Sequence, residues 1–118
     1  MKIGSLLSDL LYHDTRPTIQ VILDSDAGKE IRIAFRKGQV MKEHQTPFPI
    51  VVEIFEGAID FGVRGQVKHL KRGDLIALEG GVSHDLKAID DSIVRLSLSR
   101  ADSAKRVKEV VKGSLEEN

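Results

Sequence analysis

Three observations predict an all-β chain, a barrel or sandwich of short antiparallel strands. Between residues 18 and 100, apolar and β-branched residues recur in short runs, several with clean two-residue alternation. Turns rich in glycine separate these runs at close, regular spacing, the pattern of sandwiches and barrels rather than of βαβ units. Helical periodicity is confined to the two ends.

At the N-terminal end, Leu6, Leu7, Leu10 and Leu11 follow the potential cap Ser5, which predicts a short helix over about Ser5 to Tyr12. Pro17 then forces Arg16 out of the helical region. Thr18 to Leu23 and Lys29 to Phe35 read as a hairpin around the Asp24 to Gly28 turn, with Ile31, Ile33 and Phe35 on one face. A glycine-started strand runs from Gly38 to His44, the link Thr46-Pro47-Phe48-Pro49 stiffens the chain, and Ile50 to Phe55 is strongly apolar. Ala58 to Val63 and Val67 to Leu70 flank a turn at Arg64-Gly65-Gln66. Leu75 to Leu78 is continuously apolar, as expected of a strand covered on both faces. His84 to Ala88 and Ser92 to Ser99 follow, Val94, Leu96 and Leu98 alternating with Arg95, Ser97 and Ser99. Asp102 or Ser103 is placed to cap a second short helix to about Lys112, with Val107, Val110 and Val111 as its apolar stripe. The expected division is thus an arm with helix over 1–17, a β-barrel over 18–100, and a C-terminal helix with a frayed tail over 101–118.

Composition narrows the function. A chain of 118 residues makes about one domain. Lysine and arginine balance aspartate and glutamate at 18 each, so no net field draws nucleic acid or anionic lipid. With no cysteine there are no disulfides, thiolate metal sites or cysteine nucleophiles. No apolar run approaches the ~20 residues that cross a bilayer, and Met1 to Tyr12 lacks a small-residue cleavage pattern. A cytoplasmic protein without nucleic-acid or membrane partners is expected.

Two blocks carry the candidate site. Gly38, five residues, His44, Gln45, Thr46, three residues, Ile50, six residues and Gly57 form the first. Gly73, five residues, Glu79-Gly80-Gly81, two residues and His84 form the second. Each delivers one histidine, which suggests a shared pocket. The spacing resembles that of the small single-domain cupins, of RmlC-like jelly-roll (double-stranded β-helix) fold, over roughly Ile31 to Leu98. In that family the first block carries His-x-His and a glutamate, and the second carries Pro-x-Gly before its histidine. The resemblance implies a cupin barrel whose metal ligands are two histidines and a glutamate of the first block with one histidine of the second. Carried over by position, His44 and His84 match, whereas Thr46 stands for the second histidine, Ile50 for the glutamate and Glu79 for the proline.

Isoleucine cannot hold a cation, and a neutral hydroxyl is a poor ligand for zinc, iron, manganese or nickel beside imidazole or carboxylate. Strand alternation turns Glu53 to the face opposite Ile50, Val52 and Ile54, which removes it as a substitute. The expectation is a reduced first motif and a weak divalent-metal site at His44 and His84. The pocket is expected to be mainly apolar, floored by Ile50, Val52, Ile54 and Phe61, with His44, Thr46 and His84 as its polar contacts to a small ligand. No catalytic residue is assigned. The alternative is a metal-dependent enzyme of the dioxygenase or isomerase sort found in the wider family, using His44 and His84.

Other features have plainer readings. Ser83 and His84, adjacent on a strand, face opposite ways and do not make a nucleophile and base. Gly80-Gly81 lacks the lysine and helix of a phosphate loop. Arg64, Lys68, Lys71 and Arg72 read as a solvated basic rim, and His13 and His69 as exposed residues beside turns with no partner in view. Val51 and Phe55, on the face opposite the pocket, predict a homodimer in which sheets pack across a two-fold axis.

Overall fold

The computed structural model describes residues 1–99. Among the described residues nine strands follow one another from Thr18: β1 (Thr18–Ser25), β2 (Gly28–Phe35), β3 (Val40–His44), β4 (Ile50–Glu56), β5 (Ala58–Val63), β6 (Gln66–Lys71), β7 (Leu75–Leu78), β8 (His84–Ala88) and β9 (Ser92–Ser99). They form two antiparallel sheets, one ordered β1-β2-β9-β4-β7 and the other β3-β8-β5-β6. The expected β1–β2 hairpin is present, closing on the Ser25–Gly28 pair.

The core lies between the sheets and follows from alternation. Ile50, Val52 and Ile54 of β4 are buried, as are Ile33 and Phe35 of β2, Ile59 and Phe61 of β5, Leu86 and Ala88 of β8, and Val94 of β9. Burying each large aliphatic or aromatic side chain contributes roughly 1.5–3 kcal/mol, so this shared inner layer is the main source of stability. The outer face of the first sheet mixes charged residues with the exposed apolar Val51 and Leu75. Arg95, on β9, reaches Glu53 of β4 at 2.6 Å and Glu30 of β2 at 3.8 Å, so Glu53 is on the outer face as alternation requires.

Two expectations are corrected among the described residues. No helix forms over Ser5 to Tyr12. Ser5 does cap a single turn, its hydroxyl accepting hydrogen bonds from the backbone N–H groups of Leu7 and Ser8. Asp9 then takes a left-handed φ of 54°, which ends the turn. The carbonyls of Ser5, Ser8 and Asp9 accept instead from the guanidinium of buried Arg32. A tertiary donor thus takes the acceptors that helix propagation needs. The second correction concerns β7: it is an edge strand, so Leu75 and Ala77 are exposed and only its inner face is covered. The C-terminal helix expected over about 102–112 lies outside the described residues.

Candidate functional site

His44 is the last residue of β3 and His84 the first of β8, and the two are register partners. Their ring centroids stand 4.3 Å apart with planes tilted by 59°. A local irregularity makes this pairing possible. Met41 pairs with Leu86 and His44 with His84, so three steps along β3 match two along β8. Strict alternation would send His44 to the face opposite Met41. The extra residue restores it to the inner face, as a β-bulge does.

Both rings are oriented by backbone carbonyls. His44 Nδ1 lies 2.8 Å from the Lys42 carbonyl oxygen, and His84 Nδ1 lies 3.0 Å from that of Val82. A carbonyl only accepts, so each Nδ1 donates, and the tautomer that does so has its lone pair on Nε2. The same backbone contact orients metal-binding imidazoles generally. Beneath the pair, Phe61 stacks parallel on His84 with centroids 5.5 Å apart and planes 5° apart. His84 is buried and His44 is exposed, so the site has a fixed inner ring and an outer one facing solvent.

The two sequence blocks touch directly. Gly81 N–H donates to the Thr46 carbonyl at 2.7 Å, and a Cβ at Gly80 would fall 2.3 Å from the Pro47 carbonyl oxygen. The diglycine therefore serves close packing of the 79–82 turn on the 45–49 link. Thr46 donates its hydroxyl proton to the Phe48 carbonyl at 2.9 Å. Ile50 is buried in the core opposite Leu78. Val52, Ile54 and Phe61 belong to that same packed layer, so the residues expected to floor a pocket are side chains filling the space between the sheets.

A divalent metal thus finds two imidazole donors and little else. Among the described residues, no group of three or more histidine, cysteine, aspartate or glutamate side chains converges to hold a metal ion. Catalytic zinc sites usually present three protein ligands, a set these residues do not fit.

Other candidates separate in space. His69 is exposed but has a partner, Asp60, at 2.6 Å across the β5–β6 hairpin. His13 accepts a hydrogen bond from the Thr15 N–H at 3.1 Å. The basic rim splits: Arg72 pairs with Glu56 at 3.3 Å, whereas Lys68 is the register partner of Phe61 and so lies on the inner face of β6. The alternation of Gln66, Lys68 and Leu70 across the hairpin turn could have shown this, once Phe61 was placed inward.

This arrangement of sheets is shared with solved structures. A crystal structure of an RmlC-like cupin protein from Desulfovibrio desulfuricans matches with a TM-score of 0.76 at 22% identity, covering 85% of this chain and 97% of that one. A protein with a double-stranded β-helix domain from Klebsiella pneumoniae matches with a TM-score of 0.72 at 20% identity, covering 82% and 87%. KdgF from a Halomonas species matches with a TM-score of 0.69 at 18% identity, covering 87% and 99%. No family model matches the chain, and no curated protein does. The class of protein is thereby defined at the level of architecture: the chain has the RmlC-like cupin jelly-roll fold. Among the described residues no helix is long and apolar enough to cross a membrane.

Proposed function

We propose that this protein is a small-molecule binding module that uses the mouth of its barrel, with His44 and His84 as the polar contacts and a divalent metal held only weakly. The observation that carries the reading is the paired imidazoles with both Nδ1 groups tied to backbone carbonyls, since this leaves two Nε2 atoms for a ligand. Zinc, iron, manganese or nickel would take these two nitrogens as its protein ligands, with water or bound ligand completing the shell. Such an ion can polarise a bound oxygen when present. The apolar Ile50 and the committed Thr46 hydroxyl favour binding over the alternative of a metal-dependent dioxygenase or isomerase. The test is a thermal-shift screen of small polar metabolites, repeated on His44→Ala. Hits lost in the variant support the reading; hits that persist unchanged contradict it.

The homodimer belongs to the same proposal. Val51 and Leu75 are exposed on the outer face of the five-stranded sheet, an apolar surface suited to a second copy. Sedimentation equilibrium showing the monomer mass at every concentration would count against it. A cytoplasmic location is part of the proposal as well.

A further inference from the structure

The four-stranded sheet breaks the usual inside-outside rule at one place. Cross-strand register puts His44, His84, Val63 and Gln66 in one row across β3, β8, β5 and β6, all on the inner face. The next row carries Leu86, Phe61 and Lys68. On the edge strand β6 the polar Gln66 and Lys68 therefore stand on the inner face of the sheet, where both remain exposed to solvent, while the apolar Val67 faces out and is 58% exposed. A strand of an ordinary barrel wall shows the reverse, and such local inversions concentrate at functional positions.

Gln66 and Lys68 line a groove of about 300 Å³ between the β5–β6 hairpin and the end of β7, together with Val63, Arg64, Leu78, Glu79 and Val82. That volume is at the lower end of the ~300–1,000 Å³ typical of small-molecule sites. The groove adjoins the histidine pair through two residues: Val63 is the register partner of His84, and the Val82 carbonyl accepts the His84 Nδ1 proton. Neither Lys68 nor Arg64 has an ion-pair partner among the described residues. Two cations against the single carboxylate of Glu79 leave the groove net positive, a field that attracts an anion. Arg64 sits at a left-handed φ of 52°, holding the hairpin turn that brings it to the rim.

We propose that the ligand of the His44–His84 site is a small carboxylate, and that its anionic group is received in this lateral groove by Lys68 and Arg64, with Gln66 as an additional hydrogen-bond donor. The proposal rests on the binding reading above and adds the charge of the ligand to it. An inward lysine on an edge strand could also serve only to block edge pairing, a role that requires no ligand.

Succinate and its uncharged diamide, succinamide, are titrated at constant ionic strength into the full chain while backbone amide and histidine ring resonances are followed by NMR. A separate zinc titration reads His44 and His84 without succinate. The expected result is saturable succinate shifts at Val63, Gln66, Val82 and the His84 ring, none with succinamide, and a Kd raised about tenfold or more in Lys68→Met. The zinc response should be the same in Lys68→Met as in the parent. Absence of saturable succinate shifts, or equal succinate affinity in Lys68→Met, overturns the proposal and leaves an edge guard. A normal zinc response with no succinate binding separates failure of this inference from failure of the histidine site. Lys68-dependent succinate binding without any zinc response would retain the carboxylate groove and remove the weak metal from the functional reading.

Discussion

His84 and His44 are register partners held in the same way by backbone carbonyls, yet their surroundings differ. His84 is 3% exposed and lies flat on the fully buried ring of Phe61, whereas His44 is exposed at the last residue of its strand. The inner histidine is part of the packed layer, so its orientation is fixed by the core. The outer one depends on a bulge and one carbonyl contact for its direction. Two similar blocks of sequence thus yield one ring built into the scaffold and one presented to solvent. A site of this kind has a preorganised half and an adaptable half, which suits binding without demanding a rigid metal shell.

The most disruptive way to break this contrast is Phe61→Ala. Removing a fully buried phenylalanine should destabilise the protein by about 3–5 kcal/mol in denaturant unfolding, and the His84 ring should lose its fixed chemical shift. A loss below about 1 kcal/mol would mean that the inner histidine is not supported by the core.

Ile50→Glu asks whether a carboxylate at position 50 can reach the histidine pair. Placing a carboxylate where Ile50 is 4% exposed should lower stability by at least about 1–3 kcal/mol in metal-free protein. Saturating zinc should recover part of that loss, since the new carboxylate would complete a three-ligand set with His44 and His84. Equal loss with and without zinc would show that this position does not reach the histidines.

The contrast itself predicts unequal alanine variants. His84→Ala should cost about 1–3 kcal/mol, because it opens space above Phe61, whereas His44→Ala should stay within about 0.5 kcal/mol of the parent. Equal effects would erase the distinction between scaffold and presented ring.

The fold was legible where alternation governs. Ala58 to Val63, His84 to Ala88 and Ser92 to Ser99 are strands with the bounds the sequence suggests, because apolar residues on one face demand a pleat of period two. The opposite faces of Ile50 and Glu53 were readable for the same reason. The N-terminal helix was misread because leucine spacing reports local preference, while the outcome was set by Arg32, some two dozen residues away in the chain. The inward placement of His44 was legible from motif spacing, but its physical basis, an unpaired residue between Met41 and His44, was not. Lys68 is close to Lys71 and Arg72 in sequence, but strand parity puts Lys71 on the opposite face, and Arg72 lies beyond the end of β6, where it pairs with Glu56.

The smallest expected effect lies at the opposite side of the fold, around Asp91. Its carboxyl is held below the usual carboxylate range first by the hydrogen bond from the Lys37 backbone N–H and then by Arg36. A depressed folded-state pKa stabilises the protein above the unfolded value, and that contribution is lost as pH falls through the folded value. The stability gap between the parent and Asp91→Ala, followed by thermal unfolding, should therefore be small at neutral pH and shrink further below about pH 4. A gap that widens in acid would contradict this assignment and leave the histidine contrast untouched.

The central claim, a cupin barrel whose histidine pair binds metal only weakly, is tested most directly by elemental analysis of protein purified without chelators. The predicted result is iron, zinc, manganese and nickel each far below one ion per chain, with added zinc readily removed by dialysis. Near-stoichiometric metal that survives dialysis and disappears in His84→Ala would contradict it.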